Sequence, residues 1–308
     1  MVVFANSVGV VNGYMLAVTG VTKNIGPVTT AFVIILSGTP VFWYVYKPEL
    51  RSRWFVWKQA LLMGVALGVN NMCFQTVLRW VRLAVVEPLS FLCTAAFMIG
   101  GVVVEDVRSK KYSTVLWPVL AGLGIWALAT DTAEGKGGGV FTKAIPQIHV
   151  LDHRIPGWIL GVGLLLSTAG TYAFLQWRLE VVDNGIKGKA NTLAGIPGVA
   201  ILAVGVWAME GSWGGVTISD WPYLLACVAN GVLGALLGGV VLVKAYEHEL
   251  RASTTAMLLP LRTLLGTSLG MAVEQVAPGP LGLVAIVSIL VGSYGAAKIQ
   301  SRKKAGSG

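Results

Sequence analysis

The residues able to do chemistry in this chain are few, because almost everything around them is apolar. Arg262 stands near the middle of STTAMLLPLRTLLGTSLGMAVE, Ser253 to Glu274, a run of membrane-spanning length. A cation at that depth costs at least ~2.5–3.5 kcal/mol on insertion scales, so it should face a bundle interior or a polar cavity. Arg262 has two readings. It is a structural arginine that fixes the bundle through a carboxylate or helix-end carbonyls, or it is a fixed cation in a cavity. In the second case its planar fork suits a carboxylate or a phosphate. Pro260, two residues before it, removes a backbone donor and lets the helix loosen there. Glu87 lies next to Pro88 in an earlier run, AVVEPLSFLCTAAFMIGGVVVE. It is either an interfacial residue or a titratable group whose desolvation raises its pKa and lets it carry a coupling proton.

Neutral polar side chains join these two charges. Asn12 and Tyr14 fall in the first apolar run, Asn70, Asn71 and Gln75 within two turns of the third, and Tyr172 and Gln176 in the sixth. The asparagines read either as cavity lining or as interhelical hydrogen bonds, which polar residues commonly make in membranes. Tyr14 and Tyr172 sit at similar places in their runs and either line the cavity or pack. The candidate substrate-binding set is therefore Arg262, Glu87, Asn12, Tyr14, Asn70, Asn71, Tyr172 and Gln176. Glu105 and Glu274, at the ends of their runs, read as structural. His149, His153 and His248 lie outside the apolar runs, so no metal site or catalytic residue is expected. No phosphate-binding loop of the Walker type is present, and no cofactor is expected.

These residues need a scaffold, and composition says which. The chain has 308 residues, 55% hydrophobic and 12% charged, about half the charged share of soluble domains. The apolar runs are continuous and about 20 residues long, which fits helices rather than alternating barrel strands. Ten spans are expected: 2–21, 28–46, 59–78, 83–104, 113–130, 157–177, 190–209, 222–243, 253–274 and 281–297. Between the fifth and sixth runs a long external connection, 131–156, begins EGKGGG and then turns mixed apolar and polar. The last residues, 305–308, read as a linker remnant. No cleavable signal is legible at the start, and the first run reads as the first span. Cys73, Cys93 and Cys227 all fall inside apolar runs and read as packed thiols.

The net charge of +9 would suggest nucleic acid only if position were ignored. With the N-terminus inside, the inner segments hold Lys47, Arg51, Arg53, Lys58, Arg108, Lys110, Lys111, Arg178, Lys187, Lys189, Lys244, Arg251, Lys298, Arg302, Lys303 and Lys304. The outer ones hold Lys23, Arg79, Arg82, Lys136, Lys143 and Arg154. This asymmetry predicts both termini in the cytoplasm and no nucleic-acid partner.

The halves 1–130 and 157–304 repeat. A shift of 169 places Arg82 on Arg251, Leu92 on Leu261, Gly101 on Gly270 and Val104-Glu105 on Val273-Glu274. A shift of 170 places Gly64 and Gly68 on Gly234 and Gly238, small-residue faces for close packing of spans three and eight. Five spans per repeat force the second copy to cross in the opposite sense, an inverted repeat. The fold class expected is an all-α integral membrane protein of ten transmembrane helices in two inverted five-helix repeats.

Five plus five spans, with a glutamate closing spans four and nine, resemble the drug/metabolite transporter superfamily, in its EamA-like ten-helix branch. The resemblance rests on LLPLRTLLGTSLGMAVEQVAPGPLGLVAIVSILVG around Pro260 to Glu274, and on its first-half copy from Pro88 to Glu105. The motif is a proline, small residues, a glutamate at the helix end, a short turn and a glycine-containing helix. It implies a central cavity lined by spans one to four and six to nine, with five and ten peripheral, and export more often than uptake. The 131–156 connection is longer than the family pattern.

One cation and one anion in such a cavity suit a small polar metabolite, best an amino acid or similar zwitterion, moved across the cytoplasmic membrane by alternating access. The expected partners are that small-molecule substrate, the lipid bilayer and a coupling proton, with a homodimer left open. Rival readings are an anion exchanger for phosphorylated metabolites or nucleotide sugars, a membrane-embedded enzyme acting on a lipid-linked substrate, and a pore or scaffold without coupled transport.

Overall fold

The computed structural model describes residues 2–19, 21–78, 148–150, 153–155, 157–211, 216–248 and 279–305, together with scattered positions between 86 and 127 and between 255 and 272. The described chain is helical apart from one small antiparallel hairpin. Its elements are α1 (Val2–Val18), α2 (Val21–Asn24), α3 (Pro27–Tyr46), α4 (Trp54–Val77), β1 (Ile148–Val150), β2 (His153–Ile155), α5 (Gly157–Val181) and α6 (Asn184–Gly205). A π turn, Val206–Glu210, continues α6. Then come α7 (Trp221–Leu233), a second π turn (Gly234–Gly239), α8 (Val240–Glu247) and α9 (Pro280–Ala305). The hairpin pairs Ile148 with Ile155 and Val150 with His153, inside the segment expected as a connection.

Among the described residues, five helices are long and apolar enough to cross a membrane: Pro27–Tyr46, Trp54–Val77, Ile159–Val181, Asn184–Glu210 and Trp221–Glu247. The chain is a membrane protein by this measure. Large apolar side chains such as Leu61, Trp207, Leu236 and Val284 point outward. In water such surfaces would aggregate; in lipid they are solvated. The helices also run past the hydropathy boundaries: α4 begins at Trp54 rather than Gln59, and α6 at Asn184 rather than Ala190. Hydropathy marks the hydrocarbon, whereas helical hydrogen bonding continues into the polar interface.

The ends of α3 show why a helix starts and stops. Pro27 sits at its first position, where a missing N–H costs nothing. The carboxylate of Glu210, from the end of the α6 rod, accepts from Val28 N at 2.7 Å, Thr29 N at 3.0 Å and the Thr29 hydroxyl at 2.7 Å. It therefore caps α3 from another element and meets the positive end of the helix dipole. At the far end Lys47 turns left-handed (φ 42°, ψ 57°), its N–H on Trp43 O, and Pro48 blocks continuation. Several threonine and serine hydroxyls inside the spans bond their own helices, as Thr39 does to Ile35 O and Thr192 to Gly188 O. They need no water there.

Packing places the ends on two faces. Glu210 ties the end of α6 to the start of α3. Lys187, in the first turn of α6, reaches the end of α8, with Nζ 2.8 Å from Tyr246 O and 2.8 Å from Asn184 Oδ1. The α4 helix packs on α5 and α6, while the α7–α8 rod packs on α1 and α3. Small residues set these approaches. A Cβ at Gly64 would collide with Pro197 and the Ala194 carbonyl of α6, and one at Gly231 with the Ile34 carbonyl and Ser37 of α3. Gly68 meets Gly198 on α6, and Gly238 meets the Ala5 carbonyl of α1. One apolar cluster, Val28, Ala31, Phe32, Leu202 and Val206, closes the α3–α6 contact near Glu210. Another, Met63, Leu179, Ala194, Val243 and Tyr246, closes the opposite end.

Candidate functional site

A cavity of about 340 Å³ opens in the middle of the bundle, within the size range of small-molecule sites. Most of its wall is apolar, from side chains such as Leu16, Ile34, Phe42, Leu67, Phe74 and Leu242. Its polar wall comes from Asn12 on α1, Asn70, Asn71 and Gln75 on α4, Thr168, Tyr172 and Gln176 on α5, Asn191 and Thr192 on α6, and Asn230 on α7, with Thr39, Ser90 and Arg262.

Of the eight residues singled out from sequence, the structure brings six to this one cavity: Arg262, Asn12, Asn70, Asn71, Tyr172 and Gln176. Tyr14 is buried at 4% exposure, yet it is not among the lining residues. Being two residues from Asn12 puts it on another face of α1. Glu87 lies outside the described residues, as do Pro88, Glu105, Pro260 and Glu274. Sequence reasoning noted Gln75 as polar within its span without placing it in the site, and passed over Asn191, Thr39 and Ser90. Asn191 sits among the basic residues of the α6 start, and its position there hid it.

Arg262 lies against Tyr172. Its Nη1 donates to the Tyr172 hydroxyl at 3.4 Å, and its guanidinium carbon stands 5.8 Å from the centre of the ring. That is within cation–π range, and attraction to a ring face strengthens where water is excluded. The contact seats the guanidinium on the cavity wall. Among the described lining residues Arg262 is the one cation, and none is an acid.

One turn along α5 from Tyr172, Gln176 is 1% exposed and joins a buried chain of hydrogen bonds. The Tyr246 hydroxyl donates to Gln176 Oε1 at 2.6 Å and lies 2.9 Å from the Thr255 hydroxyl. Tyrosine has one proton to give, so Thr255 donates in that second bond. The chain links α5 and α8 to the start of the Arg262 run. Gln176, its oxygen held in this way, also lines the cavity.

The asparagines join helices too. Asn12 and Asn230 exchange bonds across α1 and α7: Asn12 Nδ2 to Asn230 O at 3.3 Å, and Asn230 Nδ2 to Asn12 O at 2.6 Å. Asn70 Nδ2 donates to Thr168 O at 2.7 Å and to the Thr171 hydroxyl at 3.2 Å, across α4 and α5. Asn71 bonds its own helix, Nδ2 to Leu67 O at 2.9 Å. The wall is thus held rigidly, and a site built on fixed side chains pays little ordering cost when it binds.

None of the lining residues belongs to α9 or to the described positions of 116–127. Those two elements pack on each other instead, Gly124 against Ala285 and Ile289.

Eleven solved chains match this one. One, described as "Crystal structure of protein", superposes with a TM-score of 0.66 at 16% identity, over 98% of this chain and 98% of its own. The two share a fold, and at that identity the likeness says nothing of function. No family model matches the chain, and neither does any curated protein sequence.

Proposed function

We propose that the chain is a secondary transporter of the drug/metabolite superfamily that moves a small zwitterion, an amino acid or close analogue with an apolar side chain, by alternating access. The observation that carries this reading is the central cavity with Arg262 fixed on its wall by Tyr172. A fixed cation, Gln176 on the same wall and an apolar remainder suit one carboxylate and one apolar side chain. A phosphorylated metabolite would call for more than one basic residue, and the described lining residues include only Arg262.

The reciprocal packing supports the ten-span inverted repeat. Span three, α4, lies on spans six and seven, α5 and α6. Span eight, the α7–α8 rod, lies on spans one and two, α1 and α3. A twofold exchange of halves turns the first arrangement into the second. The basic residues favour the cytoplasmic membrane with both termini inside, so Glu210 is on the outer side and Tyr246 on the inner side. Glu87 is proposed to carry the coupling proton, and export is the direction the superfamily favours.

The test is uptake of radiolabelled amino acids into proteoliposomes with and without a pH gradient, and calorimetric binding. Arg262→Ala should abolish binding, because the carboxylate loses its one fixed countercharge. Arg262→Lys should retain little, since an ammonium lacks the fork. Glu87→Gln should weaken transport and flatten its pH dependence. A folded Arg262→Ala protein that transports at the wild-type rate would place the site elsewhere.

A further inference from the structure

The polar wall of the cavity is directional, and its direction follows from which atoms are already engaged. Asn12, Asn70, Asn71 and Asn230 each give their amide N–H to a backbone carbonyl. A carbonyl only accepts, so the NH₂ end of every amide is the end facing its partner. The four Oδ1 oxygens are turned the other way. No donor among the described residues holds any of them, and none is sealed from accessible space. The cavity, whose described lining residues include one cation and no acid, thus offers four amide oxygens as acceptors.

These oxygens lie at one level. Asn12 and Asn71 are six residues before the ends of α1 and α4, Asn70 seven, and Asn230 nine residues after the start of α7. At 1.5 Å per residue, all four fall about 9–14 Å below the face where those ends gather. The anion-binding end is elsewhere. Asn70 is seated on Thr168 of α5, and Arg262 is seated on Tyr172, four residues further along the same helix. Their seats on α5 are therefore one helical turn apart in sequence. Gln176, with its donors, is one turn further still. Along α5 the wall runs from the Asn70 amide at Thr168 to the Arg262 guanidinium at Tyr172.

We propose that the asparagine oxygens form the ammonium subsite of this cavity, so that the amine of the substrate is recognised by neutral amides. This rests on the reading of the cavity as a zwitterion site with Arg262 at the carboxylate. A carboxylate and an ammonium one carbon apart, with a hydrogen bond added at each end, suit two groups seated one turn apart on the same helix. Amide oxygens cannot take the ammonium's proton at any physiological pH, so the amine stays charged while it is bound. Glu87 is then left free to titrate with the coupling proton.

The experiment compares L-leucine and L-phenylalanine with their 2-hydroxy acid counterparts, which keep the carboxylate and side chain and replace the ammonium by a hydroxyl. Binding is measured on the full-length protein, wild type and Asn71→Leu, Asn70→Leu and Arg262→Ala, in sodium and in choline buffers. Asn71→Leu is the decisive variant, because its amide bonds only its own helix and its loss separates no two helices. Wild type should bind the amino acids about tenfold or more tighter than the hydroxy acids, as expected for a hydrogen-bonded charge. Asn71→Leu should lose most of that preference while its affinity for the hydroxy acids stays within about twofold. Arg262→Ala should lose both ligands. If wild type and Asn71→Leu discriminate amine from hydroxyl equally while Arg262→Ala still loses both, the ammonium subsite is refuted and the carboxylate reading survives. If choline abolishes amino-acid binding and Asn71→Leu weakens the sodium dependence instead of the amine preference, the oxygens hold a metal cation and the proposal fails. If no amino acid binds wild type, the zwitterion reading falls, and the subsite with it.

Discussion

Removing one oxygen atom, in Tyr246→Phe, tests how the inner end of the cavity is held. Tyr246 is fully buried, with its ring packed among Met63, Leu179, Ala194 and Val243. Phenylalanine keeps that packing, so the change isolates the hydroxyl. What is lost is the donor to Gln176 Oε1 and the acceptor for Thr255. Gln176 is 1% exposed and Thr255 is fully buried, so no bulk water replaces either partner. A buried group left without its partner costs about 1–3 kcal/mol. At about 2–4 °C per kcal/mol for a large domain, this lowers the melting temperature by about 2–12 °C. Because Gln176 also lines the cavity, the same variant should weaken amino-acid binding. The assay is thermal unfolding of the purified protein in one fixed detergent, for Tyr246→Phe, Gln176→Leu and the double variant. Removing both partners restores a matched apolar pair, so the double variant should lose less than the sum of the singles, by about 1 kcal/mol or more. Additivity within about 0.5 kcal/mol, the limit for independent sites, would show that the two side chains do not act together and would refute the reasoning.

Three further outcomes follow from single contacts. Glu210→Ala uncaps α3 and should destabilise the protein by about 1–2 kcal/mol, with Glu210→Gln in between; equal stability of all three by thermal unfolding would show that water caps α3 as well as the carboxylate does. Asp220 accepts from Thr217 N at 2.7 Å and from the Thr217 hydroxyl at 2.8 Å, and these bonds hold its carboxyl below the usual carboxylate range. Its stabilisation is therefore present above the unfolded value of 3.8 and is lost as pH falls through the lower folded value. The melting-temperature gap to Asp220→Asn should close as pH is lowered from 7 to 2, and an undiminished gap at pH 2 is the contrary result. A cysteine placed at Ser301 should stay unreactive toward an impermeant thiol reagent added outside intact cells; labelling there reverses the proposed orientation.

Much of this molecule was legible along the chain, because hydropathy is a property of each residue and its neighbours. The continuous apolar runs at α3, α4, α5, α6 and α7–α8 read as membrane helices, and the five long apolar helices lie on them. Polar residues inside such runs stand out against lipid, which is why Arg262, Asn12, Asn70, Asn71, Tyr172 and Gln176 could be singled out. Facing was not legible. A helix surrounded by lipid on one side and by other apolar helices on the other carries little contrast between its faces. Nothing in sequence therefore separated Asn12, on the cavity, from Tyr14, buried away from its lining, or placed Asn191 and Asn230 on the same wall. Tertiary packing decided the partners as well. Lys187 reads as one more basic residue between two spans, yet it is 2% exposed, its Nζ on the Tyr246 carbonyl 59 residues away. Glu210 reads as the end of a span and turns out to cap a helix 182 residues earlier. The orientation of the asparagine amides, on which the direction of the cavity depends, is set by carbonyls of other helices at Asn12, Asn70 and Asn230. A hydrogen bond between helices is fixed by where the backbones meet, and only the folded bundle brings those backbones together.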